Sequence, residues 1–195
     1  MRAAILLLSA ALIAGCSHQP PISQPIDWNQ HQAQLAALDQ WQLRGKLGFK
    51  SPQRGGSANL QWSQNQQQYQ LRLSGPMGTG NVLIQGDQTR AQMQQGDQSY
   101  VDRPELLAAR FTGLPIPVDA LSWWVRGLPS PSKSAAMDLI ISPNGTASSF
   151  VQEGWQLSFS DYRMTKDGHL PRKISGQLGA QSFKLVISNW NPPAK

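Results

Sequence analysis

Alternation of apolar and polar residues runs through most of the chain from residue 41 onward. Such stretches predict β-strands, because successive side chains of a strand point to opposite faces of its sheet. Gly- and Gln-rich turns separate the stretches at lengths typical of β-hairpins. The predicted strands cover residues 41–49, 57–63, 69–75, 80–86, 89–95, 98–101, 136–142, 148–154, 155–164, 171–178 and 182–190.

Three other segments predict helices, over residues 27–39, 104–113 and 118–127. We expect Asp27 to cap the first helix, and Asp102 and Glu105 to form a capping pair at the start of the second. Gly127 closes the third. Strands dominate, and no βαβ alternation is present. The pattern therefore predicts one curved, barrel-like antiparallel sheet, with helices covering one opening or face.

The N-terminus predicts an exported protein with a lipid anchor. Residues 1–15 carry one positive charge and an apolar run of about a dozen residues, too short for the roughly 20 of a membrane span. They end in Leu-Ile-Ala-Gly before Cys16, which resembles the bacterial lipobox, whose Cys becomes the acylated first residue of the mature chain. Ser17 follows, and the absence of Asp at this position favours the outer membrane. We expect a flexible tether over residues 16–26 and a single domain over residues 27–195.

Composition excludes several functions. The sole cysteine, Cys16, is expected to be acylated, so no disulfide or cysteine metal site is expected. The formal net charge of +6 falls to +5 without Arg2. This mild excess suits anionic lipid headgroups or an acidic partner protein. The Lys and Arg residues are scattered, so we expect no binding of nucleic acid.

Motifs of catalysis are missing from the sequence. It contains no G-x-S-x-G, no H-E-x-x-H and no P-loop. Three histidines, His18, His31 and His169, are too far apart in sequence to suggest a ligand set. We therefore predict no catalytic residues, no metal and no cofactor. Of the enzyme classes, a lipid hydrolase is the least implausible.

Seven tryptophans make the chain rich in large aromatic side chains. Each alone is explained by core packing. Trp123 and Trp124, however, are adjacent on a predicted helix, so their side chains point about 100° apart. One can face the interior of the sheet and the other its rim. Large apolar residues under a helical lid are typical of a hydrophobic cavity.

Several motifs resemble the LolB family of outer-membrane lipoprotein receptors. They are, in order, WQLRGKLGF, NLQWSQ, YQLRLSGPMG, FTGLPIP, WWVRGLPS, GWQLSFSDY and FKLVISNW. They cover nearly the whole mature chain, and the lipobox agrees with them. The resemblance implies an α+β, mainly β fold: an incomplete antiparallel barrel of about ten to eleven strands, with a lid of about three helices around a cavity for acyl chains. It also implies a receptor that takes lipoproteins from the periplasmic carrier LolA.

The resemblance also implies which residues act. The expected cavity-lining residues are Trp62, Leu73, Leu83, Trp124, Ile140 and Trp155. Arg44 is expected at the rim, hydrogen-bonded to lid carbonyls or a lipid ester. The expected partners are the carrier LolA, acylated lipoprotein cargo and outer-membrane lipids, and the protein is expected to be a monomer anchored in the periplasmic leaflet.

One turn carries an apolar residue where polar residues are usual. Pro76 and Gly78 flank Met77, at a position where the family commonly has Leu. Pro76 stiffens the turn and Gly78 permits tight geometry, so Met77 projects. We expect it to guide acyl chains into the membrane; the alternative is that it folds back onto the sheet.

Two rival functions remain open. One is a lipid-anchored structural or binding protein without a cargo cavity, which docks a partner along a sheet edge. The other is the lipid-modifying enzyme. Binding of a fluorescent fatty-acid analogue without turnover would favour the receptor over both.

Overall fold

A computed structural model describes residues 25–75 and 80–191, which form three helices and thirteen strands. The helices are α1 Trp28–Ala36, α2 Pro104–Thr112 and α3 Val118–Trp124. The strands are β1 Gln40–Lys50, β2 Gly55–Asn65, β3 Gln68–Ser74, β4 Val82–Gly86, β5 Ala91–Gln95, β6 Gln98–Asp102, β7 Met137–Ile141, β8 Ala147–Gln152, β9 Trp155–Ser160, β10 Arg163–Thr165, β11 Gly168–Leu170, β12 Lys173–Leu178 and β13 Gln181–Trp190. None of the described helices is both long and apolar enough to cross a bilayer.

Eleven strands form one antiparallel sheet, in the order β6-β5-β4-β3-β2-β1-β13-β12-β9-β8-β7. The pairing of β1 with β13 joins the two halves of the chain at the centre of the sheet. Strands β6 and β7 are the two edges, so the sheet curves without closing into a barrel. The mainly β fold with an incomplete barrel is therefore confirmed.

The two-residue period of the sequence selects the inner face of the sheet. In β2, the buried Ala58, Leu60 and Trp62 alternate with the exposed Asn59 and Gln61. The same alternation in the neighbouring strands builds one continuous apolar core between the sheet and α2 and α3. Burial of this apolar face is the main stabilising term of the fold, at roughly 25 cal/mol per Å².

A bulge bends the centre of the sheet. The extra residue Ser188 in β13 lies opposite the step from Arg44 to Gly45 in β1, and its hydroxyl donates to the Arg44 carbonyl oxygen at 3.1 Å. A Cβ atom on Gly45 would lie 2.4 Å from the carbonyl oxygen of Val186. Glycine is therefore required where β13 approaches β1 this closely.

The helix ends agree only in part with the sequence. Asp27 caps α1 as predicted, because its carboxylate accepts a hydrogen bond of 2.8 Å from the Gln30 amide. The predicted cap at Asp102 is wrong. Arg103 is the N-cap of α2, and Asp102 instead accepts from the Arg103 amide. Asp102 ends β6, so its side chain reaches only the next amide.

One further prediction needs correction. Residues 155–164 are not one strand: the chain turns at Asp161, with a φ of 56°, and then forms the β10–β11 hairpin. Three helices are present, as expected, and α2 and α3 are the two that cover the main core. Helix α1 lies beside β11 and buries Leu35 against Leu128 and Leu170, in a small cluster separate from the main core.

Connections between antiparallel strands alternate between two ends of the sheet. The β1–β2 connection and the facing ends Ser74 of β3 and Val82 of β4 lie at one end, which we call the loop end. The β7–β8 turn and the connection from β9 to β12 lie at the other, which we call the tether end. The Ile26 amide donates to the Asn144 carbonyl oxygen in the β7–β8 turn at 3.1 Å, so the chain enters the domain at the tether end.

Candidate functional site

An apolar cavity lies between the inner face of the sheet and the lid formed by α2 and α3. From the sheet it is lined by Leu47, Leu60, Trp62, Leu71, Leu73, Ile84, Phe183 and Leu185. From the lid and the segment that joins its helices it is lined by Ala108, Phe111, Thr112, Ile116, Val118 and Leu121. Almost every wall atom is therefore hydrocarbon or aromatic.

The one polar lining residue, Thr112, offers no free group to the cavity. Its hydroxyl donates to the Ala108 carbonyl oxygen at 2.7 Å and accepts from the Leu114 amide at 3.0 Å. A water molecule inside the cavity would find no partners, and an apolar cavity of this kind stays dry. The site is therefore suited to hydrocarbon and unsuited to polar ligands.

The cavity measures about 60 Å³. Water takes about 30 Å³ in the liquid, and ordinary ligand pockets measure about 300–1,000 Å³. The structure is thus a closed form, with room for a small fraction of an acyl chain. A longer apolar ligand needs a larger cavity than this.

Two of the predicted lining residues border the cavity, and two others do not. Trp62 and Leu73 lie in its wall, in β2 and β3. Trp62 stacks obliquely on Trp41, with ring centroids 5.0 Å apart. Trp124 and Trp155 are fully buried in the same core but outside the wall; Trp155 packs against Phe183, which does line the cavity. They support the site rather than surround it.

The prediction that Leu83 and Ile140 line the cavity is wrong. Leu83 pairs with the exposed Arg72 on the outer face of the sheet, whereas its neighbours Val82 and Ile84 point inward. Ile140 is 58% exposed on the edge strand β7 and does not border the cavity. In both strands a run of consecutive apolar residues hides the phase of the alternation, so the sequence does not identify the inward side chain.

The predicted lid contact of Arg44 is also wrong. Arg44 alternates with the buried Leu43 and lies on the outer face of β1, on the same side as Lys46. Strand β1 keeps its two-residue period through this region because the bulge lies in β13. Two other arginines, Arg126 and Arg54, donate instead to main-chain carbonyl oxygens in or just after the helices.

Arg126, just after α3, is the first of these and was missed by the sequence analysis. Its guanidinium donates from Nη1 to the carbonyl oxygens of Leu35 and Leu38, at 2.6 and 2.9 Å. It also lies 4.5 Å from the ring centroid of Trp123. Burial lowers the pKa of Arg126 to about 10, so it stays charged at neutral pH. The contact fixes the end of α3 against the end of α1.

Gln152, at the end of β8, is the second residue that the sequence did not suggest. It is 1% exposed, and its carbonyl oxygen accepts from Trp124 Nε1 at 2.8 Å and from the Ser130 amide at 2.9 Å. Its amide nitrogen donates to the carbonyl oxygens of Ser130 and Ser134. All four hydrogen-bonding positions of the side chain are filled, so α3 and the loop after it are bound to the sheet.

The polar contacts of helix α2 are more exposed than those of α3. The exposed Arg54, from the β1–β2 loop, donates to the carbonyl oxygens of Arg110 and Phe111 at 3.0 and 3.3 Å. Arg110 in turn lies 3.7 Å from the ring centroid of Tyr100 in β6. These contacts are near solvent, where polar interactions contribute little. The polar contacts of α2 therefore add little to its packing on β5 and β6 and to the burial of Leu107 in the main core.

The remaining site predictions fall outside the described residues. These are the lipidation site Cys16 and the loop residues Pro76, Met77 and Gly78. Over residues 25–75 and 80–191, no group of three or more His, Cys, Asp and Glu side chains is arranged to hold a metal ion.

Comparison with known proteins places the chain in a family. A sequence model described as "Outer membrane lipoprotein LolB" matches residues 39–190. The chain is 38% identical to the outer-membrane lipoprotein LolB of Cellvibrio japonicus, over 95% of this chain and 94% of that protein. It is 34% identical to the LolB of Pseudomonas fluorescens, over 98% and 97% of the two chains.

A solved structure supports the fold. The LolA superfamily protein NE2245 from Nitrosomonas europaea superposes with a TM-score of 0.57, over 87% of this chain and 95% of that one, at 10% identity. That likeness concerns the fold alone. The sequence matches decide the family: the chain belongs to the LolB family of outer-membrane lipoproteins.

Proposed function

We propose that this protein is an outer-membrane receptor that accepts lipoproteins by their acyl chains from a periplasmic carrier of the LolA kind and inserts them into the outer membrane. The observation that carries the proposal is the dry, apolar cavity beneath α2 and α3. An exposed CH₂ group costs roughly 0.8 kcal/mol in water, so the acyl chains of one lipoprotein amount to some tens of kcal/mol. A receptor must shelter them during transfer.

Opening of the lid admits the cargo. The closed cavity is too small for an acyl chain, and the polar contacts of α2, made by Arg54 and by Arg110 on Tyr100, lie near solvent. Movement of α2 would let acyl chains replace Phe111 and Ala108 against the sheet. The buried bonds of Gln152 keep α3 in place, so it serves as the fixed wall.

Transfer runs without nucleotide. The sequence has no phosphate-binding motif, so the direction is set by affinity: the cavity holds acyl chains more strongly than the carrier does, and the bilayer holds them more strongly still. The protein acts as a monomer, without metal or cofactor, and has no catalytic residues. It is anchored in the periplasmic leaflet by lipid on Cys16. Met77, with Pro76 and Gly78, guides the released chains into the bilayer.

Transfer between purified proteins tests the proposal. A carrier–lipoprotein complex is mixed with the acylated mature protein in the absence of nucleotide, and the cargo is followed by pull-down. Movement of the cargo to this protein is the expected result; cargo that stays on the carrier contradicts the proposal.

The role of Met77 is tested separately. In Met77→Glu, acceptance of cargo should persist while insertion into vesicles fails, because a charged tip cannot enter hydrocarbon. Gln61→Glu, on the outer face of β2, is the matched control and should leave both steps unchanged. Normal insertion of cargo by Met77→Glu would show that Met77 does not guide acyl chains into the bilayer.

A second candidate function is docking of a protein along edge strand β7. Met137 and Ile140 are 62% and 58% exposed there. The register of β7 against β8 is irregular, however, and Asp138 has a φ of 52°. Irregular edges of this kind resist the addition of a further strand. A docking protein of this kind should not bind a fatty-acid analogue, whereas the receptor should bind one.

A further inference from the structure

The β10–β11 hairpin lies at the tether end of the sheet and exposes a large apolar side chain. Met164 in β10 is 71% exposed, more than the other large apolar residues of the described chain. A single exposed apolar residue needs no explanation by itself. Three further observations indicate a role for Met164. The hairpin is held by hydrogen bonds, it is basic, and it lies beside the point where the N-terminal segment enters the domain.

Hydrogen bonds fix the hairpin on both sides. At its base, the Tyr162 hydroxyl donates to the Ala147 carbonyl oxygen at 2.8 Å, and the Arg172 amide donates to the Asp161 carbonyl oxygen at 3.2 Å. At its tip, the Thr165 hydroxyl donates to the Gly168 carbonyl oxygen at 2.9 Å. The exposure of Met164 is therefore a property of an ordered hairpin.

The segment that contains Met164 has an excess of positive charge. Between residues 161 and 173 the chain has four Lys and Arg residues against two Asp residues. Arg163 forms an ion pair with Asp161 at 3.0 Å, which offsets part of this charge. Lys166 and Lys173 are exposed and have no ion pair among the described residues. An exposed apolar residue in a basic segment suits the headgroup region of an anionic bilayer, which attracts Lys and Arg side chains.

A groove joins the hairpin to the start of the domain. It measures about 570 Å³, and its walls include Ile26, Asn144, Met164 and His169. Ile26 is hydrogen-bonded to Asn144, so the segment that leads back to Cys16 leaves the domain beside Met164. Ten residues span at most about 35 Å. A lipid on Cys16 therefore keeps this end of the sheet within that distance of the membrane.

The same length limits what the loop end can reach. Strand β2 has eleven residues and is about 36 Å long, as long as the fully extended tether. The strand ends between which Met77 falls in the sequence, Ser74 and Val82, are at the loop end. The anchored domain can bring that end to the bilayer only with the tether drawn along its side, whereas the tether end reaches the bilayer at any tether extension.

We propose that the cargo-free protein rests on the membrane through the β10–β11 hairpin, with Met164 among the lipid headgroups and Lys166 and Lys173 against anionic phosphates. The inference rests on the proposed lipid anchor at Cys16. In this pose the loop end points away from the bilayer and is free to meet the carrier. Delivery through Met77 then requires the domain to turn over.

Site-specific fluorescence tests the pose. Acylation leaves no free thiol on Cys16, the sole cysteine, so Met164→Cys accepts one environment-sensitive fluorophore. The acylated, cargo-free protein is placed in vesicles of phosphatidylethanolamine and phosphatidylglycerol. The probe at 164 should emit to the blue of its value in buffer and be protected from iodide. Probes in Gln61→Cys on the outer face and Asp97→Cys at the loop end should remain accessible.

The controls separate this inference from the proposed function. Replacing phosphatidylglycerol by phosphatidylcholine should reverse the blue shift. A probe at 164 that stays in water, or that shifts only when the carrier is added, overturns the inference, while cargo transfer measured on the same protein still decides the receptor function. If the protein does not float with vesicles, it has no lipid anchor, and the proposed resting pose is wrong whatever the outcome of the transfer experiment.

Discussion

The indole Nε1 of Trp124, at the end of α3, donates a hydrogen bond of 2.8 Å to Oε1 of Gln152, at the end of β8. Both side chains are at most 1% exposed. One tryptophan of the WWVRG segment is thus used to attach the lid to the sheet, while Trp123 packs against Arg126 on the other side of the helix. The two adjacent rings point in different directions, as the helical period requires.

Removing Gln152 should destabilise the fold more than an ordinary surface change. Gln152→Ala leaves the Trp124 indole and the Ser130 amide buried without acceptors, and each such group costs about 1–3 kcal/mol. We expect a loss of about 3 kcal/mol in the free energy of unfolding, measured by urea denaturation. The matched control is Gln156→Ala, at an exposed position of β9, which should change it by less than about 0.5 kcal/mol. Equal losses in the two variants would mean that the Gln152 bonds contribute nothing.

A larger side chain in the cavity wall should block the site. Leu121→Trp places an indole between α3 and the sheet, where acyl chains would bind. We expect the affinity for a fluorescent fatty-acid analogue to fall about tenfold, at an overpacking cost of about 1–3 kcal/mol in stability. Leu106→Trp, at an exposed position of α2, is the control and should bind normally. Unchanged binding by Leu121→Trp would show that the analogue binds elsewhere.

Loss of Arg54 should free α2. Arg54→Ala removes the hydrogen bonds to the Arg110 and Phe111 carbonyl oxygens, which together contribute about 1 kcal/mol at this exposed site. Amide hydrogen exchange in α2 should become about fivefold faster, and a fatty-acid analogue should associate faster. Arg72→Ala, on the outer face of β3, should change neither rate. If exchange in α2 is the same in both variants, other contacts hold the lid.

Stability should depend on pH through His31. Burial, and secondarily the charge of His169, lower the pKa of His31 below its usual 6.5. The unfolded chain therefore binds a proton near pH 6.5 that the folded protein does not bind until lower pH, and stability falls as the pH drops through this window. His31→Phe, which keeps a ring against Trp28, should lose less stability between pH 7.5 and 5.5 than the parent protein. Equal losses in urea denaturation would contradict this assignment.

Periodicity predicted the sheet because most strands alternate without interruption. In β2 and β3, residues such as Trp62 and Leu73 are apolar and have polar neighbours on both sides. The pattern therefore predicts both the strand and the side chains that face the core. Val82-Leu83-Ile84 and Leu139-Ile140-Ile141 are apolar throughout. In these runs the phase is set by the paired strand, which the sequence does not identify.

The polar residues that attach the lid could not be predicted for a different reason. Gln152 and Arg126 occupy positions that a hydrophobic pattern assigns to the surface. Their burial is possible only because tertiary contacts supply every hydrogen bond: the Ser130 backbone for one, and the carbonyls of Leu35 and Leu38 for the other. The family resemblance identified the lid but not the side chains that hold it.

The gap between β6 and β7 has a mechanical consequence. A closed barrel has a circumference fixed by its strand number and stagger. An unclosed sheet can flatten or tighten through small changes in twist between neighbours, with every ladder of backbone bonds intact. We therefore expect the hollow under the lid to widen by bending of the sheet as well as by movement of the helices, so that one molecule can adopt several inner widths.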